Sequence, residues 1–380
     1  MGSAIIGCGK ALPALEIDNA ALEALVDTND EWIVTRTGIS SRHVAVRESA
    51  GDLAAAAART ALGWENDDAD AVQGQGWSER SIEPESIDLI VYATITPDAL
   101  VPSAAGLLRK RLGLNHAIAF DVNAACTGFI YGLTVAESMM AASAPKADGA
   151  ARRNPIRRAL VVGAERLTRV TNWKDRNTCV LFGDGAGAAV LEWDENRGGI
   201  LGTFITNEDD VSNALTCPLS FDVPQPFDSQ GVAPDSATTV DAAAAHIDAI
   251  LDLDEAGTDC ESKPRQTLRM DGRRVFKFAA EAMNEAVNRV LERAGVSLDE
   301  VTCIVPHQAN ERIIKYAAKK LDRPMDFFQL SIAHTGNTSS ASVPMALADA
   351  RATGRIKPGD KVVLVAFGGG FTSGAVLFEA

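Results

Sequence analysis

The stretch Ala119-Phe120-Asp121-Val122-Asn123-Ala124-Ala125-Cys126-Thr127-Gly128-Phe129 decides the fold, because a strand passes there through small residues and one cysteine into a helix. Residues 118–122 are mostly apolar and partly β-branched, as in a buried strand. From Thr127 to Met140 the apolar residues recur at helical spacing. Cys126 is therefore predicted at a helix N-terminus, where backbone N–H groups and the helix macrodipole favour a nucleophilic thiolate. The alternative is a buried, inert cysteine.

Length and composition are those of an ordinary globular chain. The 380 residues are 46% apolar and 23% charged, which predicts a large core in two domains or two fused halves. No apolar run approaches the roughly 18 residues of a spanning helix, and the N-terminus lacks a signal-peptide pattern. We therefore expect no membrane span and a cytoplasmic protein. The six cysteines are scattered without a C-x-x-C pair, which argues against a disulfide framework and a structural zinc site.

The formal net charge of −15 argues against nucleic acid as a partner, because phosphate binding needs a positive surface. An anionic substrate remains possible at a local basic patch. A candidate stripe consists of Arg36, Arg273, Arg274, Lys277, Arg312, Lys319 and Lys320. Arg312 is the best candidate because it follows a histidine motif directly, whereas any single lysine here has the alternative of a solvated helix face.

The two halves of the chain repeat one order of elements. Residues 159–164 match 362–367 in character, and the glycine-rich run 183–192 resembles 368–377. The patterns predict strands at 1–10, 87–94, 117–122, 159–163, 186–192, 301–306, 327–330, 362–367 and 374–378. They predict helices at 18–34, 53–62, 127–140, 273–293, 309–321 and 339–353. The interpretation is an internally duplicated α/β unit with helices covering its sheets.

This duplication predicts two structural halves. The first spans residues 1–195 and carries the cysteine, and the second spans residues 196–380 with a predicted insertion at about 207–266. Two further polar segments, 65–82 and 143–156, are predicted to be exposed loops.

A glycine pattern at Gly183-x-Gly185-x-x-Ala188 formally matches the dinucleotide-binding fingerprint. That fingerprint works only when it follows a strand and opens a helix, so that phosphate meets the helix N-terminus. Here the glycines precede a predicted strand, 186–192. Nicotinamide binding is therefore disfavoured.

One histidine and one asparagine occupy predicted strand-to-helix junctions in the second half. His307 lies in Val305-Pro306-His307-Gln308-Ala309-Asn310, and Asn337 lies in Gly336-Asn337-Thr338-Ser339. Each has a simpler explanation, a hydrogen-bonded histidine at a strand end and an asparagine helix cap. Together with Cys126 they form a nucleophile with two hydrogen-bonding partners.

Together these motifs resemble the β-ketoacyl-acyl-carrier-protein synthase III family of thiolase-fold condensing enzymes. The resemblance rests on Trp32 with Arg36, residues 121–129 around Cys126, 183–188, 307–310, 336–339 and 367–371. The spacing between His307 and Asn337 (337 − 307 = 30) also fits the family pattern. The resemblance implies a thiolase-like α/β fold in which two duplicated halves form a layered α-β-α-β-α core.

The resemblance also implies the reaction, in which a short acyl-CoA condenses with malonyl-acyl-carrier protein and CO2 is lost. Cys126 would become S-acylated, and His307 Nε2 and Asn337 Nδ2 would donate to the enolate oxygen of the malonyl thioester. Backbone N–H groups of Cys126, Gly368 and Gly369 would form an oxyanion hole. Coenzyme A would enter as a thioester substrate, and no metal or redox cofactor is expected.

The remaining expectations concern binding, and the family is expected to form a homodimer. The resemblance places coenzyme A against Trp32, Arg36, Arg176, Gly272, Arg273 and Phe276, with its adenine sandwiched between Trp32 and Arg176. It places the carrier protein against Arg312, Lys277, Lys319 and Lys320. It forms the acyl pocket from Val101, Leu167 and Phe367, with Val101 at a position from which many relatives extend a phenylalanine into the partner's pocket. The smaller valine predicts tolerance of longer or branched acyl groups.

Other functions remain open at this point. A condensing enzyme or acyltransferase of secondary metabolism would have the same fold, although acyl transfer alone does not need the two enolate donors. A binding-only acyl-chain factor would not need all three side chains.

Overall fold

The computed structural model describes residues 2–66, 72–144, 155–194, 198–218 and 267–380. The chain divides into a large unit, Met1–Thr216 with Arg269–Ala380, and a small unit, Cys217–Leu268. The architecture given below is that of the large unit. Most of the predicted insertion, residues 219–266, and most of the predicted loop 143–156 lie outside the described residues.

The described strands are β1 Gly2–Ala11, β2 Leu15–Asp18, β3 Ser41–Val44, β4 Gly74–Ser78, β5 Leu89–Ala93, β6 Ile118–Val122, β7 Arg158–Arg166, β8 Asp184–Asp194, β9 Ile200–Asn207, β10 Leu215–Thr216, β11 Arg269–Met270, β12 Val301–Pro306, β13 Lys361–Gly368 and β14 Thr372–Glu379. The described α-helices are α1 Asn19–Glu23, α2 Asp30–Thr37, α3 Ala50–Ala61, α4 Ala104–Arg111, α5 Gly128–Ser143, α6 Arg176–Cys179, α7 Gly272–Ala294, α8 Glu311–Lys320, α9 Ile332–Thr335 and α10 Ser342–Ala352.

Two sheets repeat one topology. The first has the order β4-β1-β8-β7-β5-β6, and the second has the order β12-β13-β14-β9. In the first, β7 is parallel to β5 and antiparallel to β8, which is antiparallel to β1. In the second, β13 is parallel to β12 and antiparallel to β14, which is antiparallel to β9. The strands β1, β8, β7 and β5 therefore correspond to β9, β14, β13 and β12.

Three apolar cores separate the molecule into five layers. One core joins α3 and α4 to the outer face of the first sheet, and another joins α7 and α8 to the outer face of the second. The third lies between the sheets and contains α5, α10 and the inner faces of both sheets. The predicted α-β-α-β-α layering is confirmed, because alternating apolar faces on both sheets need helices on each side.

Three element predictions are wrong. Residues 74–78 of the predicted polar loop form β4, which pairs with the edge of β1 through Cys8 and Trp77. The helix predicted at 18–34 is two helices, α1 and α2. Asn29 is the N-cap of α2, and its side chain accepts a hydrogen bond from the backbone N–H of Trp32.

The strand predicted at 327–330 is largely a 3₁₀ helix, Met325–Phe327, followed by a single bridge from Phe328 to Ile304. Phe328 therefore pairs in parallel with β12 at the position that corresponds to β6, which pairs in parallel with β5 in the first sheet.

In the part of the chain that the structure describes, no helix is both long enough and apolar enough to cross a bilayer.

Candidate active site

Cys126 lies at the N-terminal end of a helix in the central layer, as predicted. It is the middle residue of a 3₁₀ turn, Ala125–Thr127, which leads directly into α5. Ala125 has a φ of 46°, a left-handed conformation that non-glycine residues rarely adopt. Strained backbone of this kind is held only where the surrounding structure fixes it, and it often occurs at functional sites.

His307 follows the last residue of β12 and is 1% exposed. Its backbone N–H donates to the Val365 carbonyl at 2.8 Å, and its ring meets the edge of the Phe367 ring with centroids 5.2 Å apart. Ring atom Nδ1 lies 2.6 Å from Ser342 Oγ at the start of α10. These contacts hold the imidazole by Nδ1, so that Nε2 is the ring nitrogen available to a substrate.

Asn337 lies between α9 and a 3₁₀ turn, Ser339–Ala341, and is 7% exposed. Its Oδ1 accepts from the Ser339 backbone N–H at 2.9 Å, which assigns the other end of the amide, Nδ2, as the donor. Its backbone N–H donates to Leu181 at 2.8 Å, and its carbonyl accepts from Gly183 at 3.1 Å.

The Gly183 backbone comes so close to this segment that a Cβ there would lie 2.4 Å from the Thr335 carbonyl oxygen. The following residues form β8 rather than a helix. The predicted strand after these glycines is therefore confirmed, and the glycines serve close packing.

The second half of the chain packs directly on the cysteine segment. A Cβ at Gly368 would lie 2.8 Å from the backbone nitrogen of Cys126. Thr127 Oγ1 lies 2.8 Å from Thr372 Oγ1, which also donates to the Ala124 carbonyl. Because Phe367 touches His307 and Gly368 touches Cys126, the end of β13 joins two of the three predicted catalytic residues.

Ser339 contacts the third predicted catalytic residue, Asn337. Its backbone N–H holds Asn337, and its buried hydroxyl lies beside the Cys126 thiol. Like Ala125, it has a left-handed backbone, with a φ of 48°. The structure thus brings Cys126, His307 and Asn337 to one place through shared neighbours.

Burial keeps both titratable groups of the site uncharged. Cys126 retains some surface exposure as a residue, but desolvation around its sulfur raises the thiol pKa to about 12. The Ser339 hydroxyl lowers this pKa in part, and the carboxylate of Glu165 raises it further. Burial lowers the pKa of His307 to about 3, so its imidazole is neutral at physiological pH. Desolvation of the sulfur therefore opposes the thiolate that the helix terminus favours.

Glu165 and Ser340 form a buried polar cluster that the sequence patterns do not identify. Glu165 is fully buried on β7 and accepts from the hydroxyls of Thr94, Thr96 and Ser340 at 3.1, 2.6 and 2.8 Å. Its pKa is raised, chiefly by burial. In the duplicated fold Ser340 has the place of Cys126, since each is the middle residue of the 3₁₀ turn before a central helix.

The residues predicted to bind the adenine of coenzyme A contact each other. The guanidinium carbons of Arg36 and Arg176 each lie 4.6 Å from the centre of the Trp32 ring. Arg176 Nη1 also donates to the Asp27 carbonyl at 2.7 Å. An adenine between Trp32 and Arg176 would need a gap of about 7 Å, twice a van der Waals contact distance. The predicted sandwich therefore requires Arg176 to move.

The other predicted CoA residues begin α7. Gly272 and Arg273 are exposed in its first turn, which Asp271 caps, and Phe276 is half-buried one turn later. The Arg312 guanidinium lies 5.7 Å from the centre of the Phe276 ring, so α7 and α8 bring predicted CoA and carrier residues together.

The predicted carrier-docking residues are all on the surface. Lys277 is exposed on α7, and Arg312, Lys319 and Lys320 are exposed on α8. Lys315, on the same helix, pairs with Glu311 at 3.0 Å.

The residues predicted for the acyl pocket are divided between the interior and the surface. Leu167 is 1% and Phe367 3% exposed, whereas Val101 is 86% exposed. Val101 is thus separated by its exposure from the other two residues, and the resemblance implies that a residue at this position faces a partner.

Within the described ranges, no group of three or more His, Cys, Asp or Glu side chains is arranged to hold a metal ion.

The five layers, with a cysteine opening a central helix against the second half of a duplicated fold, define a thiolase-fold acyltransferase. The family profile described as 3-oxoacyl-[acyl-carrier-protein (ACP)] synthase III matches residues 120–208, and the corresponding C-terminal profile matches residues 291–380. The chain is 37% identical to a β-ketoacyl-[acyl-carrier-protein] synthase III of Clostridium tetani over 99% of this chain and 97% of the relative. The chain belongs to the 3-oxoacyl-[acyl-carrier-protein] synthase III family.

Solved structures agree with this assignment. A 3-oxoacyl-[acyl-carrier-protein] synthase III from Aquifex aeolicus superimposes with a TM-score of 0.78 at 37% identity, covering 100% of both chains. The priming β-ketosynthase of the R1128 polyketide pathway also superimposes with a TM-score of 0.78, at 30% identity, covering 100% of this chain and 96% of its own.

Proposed function

We propose that this enzyme condenses a short acyl-CoA with malonyl-acyl-carrier protein, releases CO2 and forms β-ketoacyl-acyl-carrier protein, the first condensation of type II fatty-acid synthesis. The observation that carries the proposal is that both side chains are held by their other polar atom. His307 Nδ1 is hydrogen-bonded to Ser342 Oγ, and Asn337 Oδ1 accepts from the Ser339 backbone N–H. Each side chain is thereby left with one donor nitrogen, Nε2 of His307 and Nδ2 of Asn337. Two fixed donors fit an oxygen that gains negative charge, which simple acyl transfer does not require.

In the first half-reaction, Cys126 Sγ attacks the thioester carbonyl of the acyl-CoA. The C–S bond to coenzyme A breaks, and the thiol proton of Cys126 passes to the departing coenzyme A sulfur, so no net proton is gained or lost. Backbone N–H groups of Cys126 and of the Gly368-Gly369 turn are the proposed donors to the tetrahedral oxyanion. The contact of Gly368 with the Cys126 nitrogen supports this role.

In the second half-reaction, the malonyl carboxylate leaves as CO2 and its electron pair forms an enolate. His307 Nε2–H and Asn337 Nδ2–H stabilise the enolate oxygen, and the enolate carbon attacks the acyl-Cys126 carbonyl. The Cys126 sulfur leaves as a thiolate and takes up one proton. The raised pKa of Cys126 favours this protonation, which completes the cycle. We expect no metal or redox cofactor to take part.

The carrier protein and coenzyme A are proposed to bind beside α7 and α8. The exposed basic residues Lys277, Arg312, Lys319 and Lys320 offer positive charge on a chain whose formal charge is −15. We place the enzyme in the cytoplasm, where both substrates occur.

We propose a homodimer through the free edge of the first sheet. β6 is the last strand of that sheet, and Ile118 and Phe120 on it retain exposed apolar surface. Together with the exposed Val101, they would be covered by a partner. Size-exclusion chromatography with light scattering tests this state.

An alternative is priming of a secondary-metabolite pathway. The likeness to the R1128 priming ketosynthase favours it, because that protein is 30% identical over the whole of this chain. The two functions share the chemistry and differ in the acyl group and in the carrier.

Mass spectrometry of the intact protein tests the proposal. Incubation with acetyl-, isobutyryl- and octanoyl-CoA should add one acyl group to the wild type and none to Cys126→Ala. His307→Ala and Asn337→Ala should still become acylated but lose malonyl decarboxylation by about 10²–10³-fold. Acylation of Cys126→Ala, or loss of acylation alone in the other two variants, would contradict the assigned roles.

A further inference from the structure

Ser342 is the first residue of α10 and is 1% exposed. Its hydroxyl oxygen lies 2.6 Å from His307 Nδ1 and accepts a long hydrogen bond, 3.4 Å, from the Gln308 backbone N–H. None of the predicted roles assigns a function to this serine. The question that its position raises is which of the two atoms, Ser342 Oγ or His307 Nδ1, carries the proton between them.

The neighbouring groups answer this question. A backbone N–H can only donate, so Gln308 directs its proton at a lone pair of the serine oxygen. Among the described residues, His307 Nδ1 is the only possible acceptor for the Ser342 O–H. If Nδ1 carried the proton, the serine O–H would be buried without an acceptor, which is costly. With the proton on the serine, both groups are satisfied.

We infer that Ser342 is a positioning residue that donates to His307 Nδ1 and holds the neutral imidazole as its Nε2–H tautomer. This inference rests on the proposed function for its consequence, since only that tautomer has an N–H directed at the enolate oxygen. The opposite tautomer would present a lone pair to an anion. The Phe367 ring also contacts the imidazole, and the backbone N–H of His307 is bonded to Val365. Ser342 therefore sets where the proton lies in addition to helping to hold the ring.

The decisive measurement is ¹⁵N NMR of the wild-type protein labelled at histidine nitrogens. The signal of His307 is identified by its absence in His307→Ala. We expect Nδ1 to be unprotonated and Nε2 protonated at pH 7, with no imidazolium down to pH 5, because burial lowers the pKa of His307 to about 3. A protonated Nδ1 in the wild type would overturn the inference. This result does not depend on activity, so it is separable from a failure of the proposed function.

Kinetics of Ser342→Ala give the functional readout. Loss of one hydrogen bond to Nδ1 should slow malonyl decarboxylation about tenfold and change self-acylation by less than about twofold. In the His307→Ala background the same substitution should have no further effect on decarboxylation, because Ser342 acts on the reaction only through the His307 imidazole. Ser342→Thr keeps the hydroxyl and should restore most of the rate. Additive losses in the double variant, or equal slowing of both half-reactions, would overturn the positioning role.

Ser340→Ala is the matched control. Ser340 is also 1% exposed and lies two residues earlier, but its hydroxyl bonds to Glu165 and to the Ala93 carbonyl. Its loss should lower stability by a similar amount and leave the His307 tautomer unchanged. In Ser342→Ala the ¹⁵N spectrum should show part of the His307 population with the proton on Nδ1, because the donor to Nδ1 is gone. An equal shift in Ser340→Ala would assign the effect to general loosening of the segment before α10 and overturn the inference.

Discussion

Cys126 combines a helix N-terminus with a dry environment, and the two have opposite effects on its thiol. The helix end favours the thiolate, whereas burial and the nearby Glu165 carboxylate raise the pKa of the thiol and disfavour it. The same dryness strengthens every donor that acts on the oxyanion. A protonated resting cysteine also resists adventitious oxidation, because the thiolate is the reactive form.

This protonation state predicts the pH dependence of alkylation. Because a raised pKa keeps the thiol neutral, the rate at which iodoacetamide modifies Cys126 should rise about tenfold per pH unit from 6 to 9, without a plateau. Peptide-resolved mass spectrometry separates Cys126 from the exposed Cys217. A plateau below pH 8 would show that the helix terminus prevails over burial.

At the residue scale, sequence patterns locate the chemistry but not its protonation. Cys126, His307 and Asn337 are predictable because each follows a recognisable strand or precedes a recognisable helix. The neutral states of Cys126 and His307 are not, because they depend on desolvation by residues distant in sequence. Ser342 is similarly invisible, since nothing local marks a serine in Ser339-Ser340-Ala341-Ser342 as the one that faces His307.

At the element scale, the β13–β14 hairpin is the part that positions the nucleophile. Gly368 ends β13 directly against the Cys126 backbone nitrogen, and Thr372 begins β14 with a hydroxyl bonded to Thr127. A side chain at 368 has no space there, since its Cβ would also lie 3.0 Å from Thr372 Oγ1. The glycine-rich turn is therefore a packing requirement of the site.

Gly368→Ala tests this role. The added methyl group must push the Cys126 backbone away, so the rate of acyl-enzyme formation should fall by about a hundredfold, comparable to the loss of one oxyanion donor. Rapid-quench intact-mass measurements give the rate, and thermal unfolding monitors stability.

The adjacent Gly369→Ala is the control, because its Cβ would meet Leu215 at 3.4 Å, an ordinary van der Waals distance. The rate of acyl-enzyme formation should fall clearly less in Gly369→Ala than in Gly368→Ala. Equal rates in the two variants would mean that the close approach at Gly368 has no catalytic consequence.

Periodicity predicts most elements because their apolar faces are regular. It misses β4, whose Gly74-Gln75-Gly76-Trp77-Ser78 sequence has weak strand propensity and is held by pairing with β1. It also joins α1 to α2, because the apolar spacing continues across the interruption. In both cases a tertiary contact or a cap, rather than local propensity, decides the structure.

At the scale of the whole molecule, charge is distributed unevenly and predicts a docking test. Arg312→Glu reverses one exposed charge on α8 and should raise the apparent KM for the carrier protein about tenfold at low salt, with a smaller effect at high salt. The control Lys357→Glu makes the same charge change just before β13. Because β13 is parallel to β12, this position lies at the other end of the strands from His307. Similar KM values for the two variants would remove α8 from the docking site.

The exposed Val101 predicts an effect on acyl preference through the proposed dimer. Val101→Phe should lower kcat/KM for isobutyryl- and octanoyl-CoA by about tenfold or more relative to acetyl-CoA, because a larger side chain fills the partner's pocket. Steady-state kinetics with the three substrates measure the change. Strict acetyl preference in both the wild type and the variant would contradict it.

The duplicated topology is predictable from the sequence, since its halves echo each other in strand character and in glycine-rich turns. What the sequence does not display is that each central helix also reaches the sheet of the other half. α10, from the second half, packs mainly on β1 and β8 of the first sheet, whereas α5, from the first half, packs most on β5 and β7 of its own sheet and also contacts β9 and β14 of the second.

The packing of α10 on the first sheet has a consequence for biosynthesis. When the ribosome has translated the first sheet, the inner face of β1 and β8 still lacks α10, which is encoded more than 140 codons after the end of β8 (342 − 194 = 148). The nascent chain must therefore emerge with a large uncovered apolar surface, the kind of surface that chaperones recognise. A separately expressed N-terminal half would keep that surface permanently.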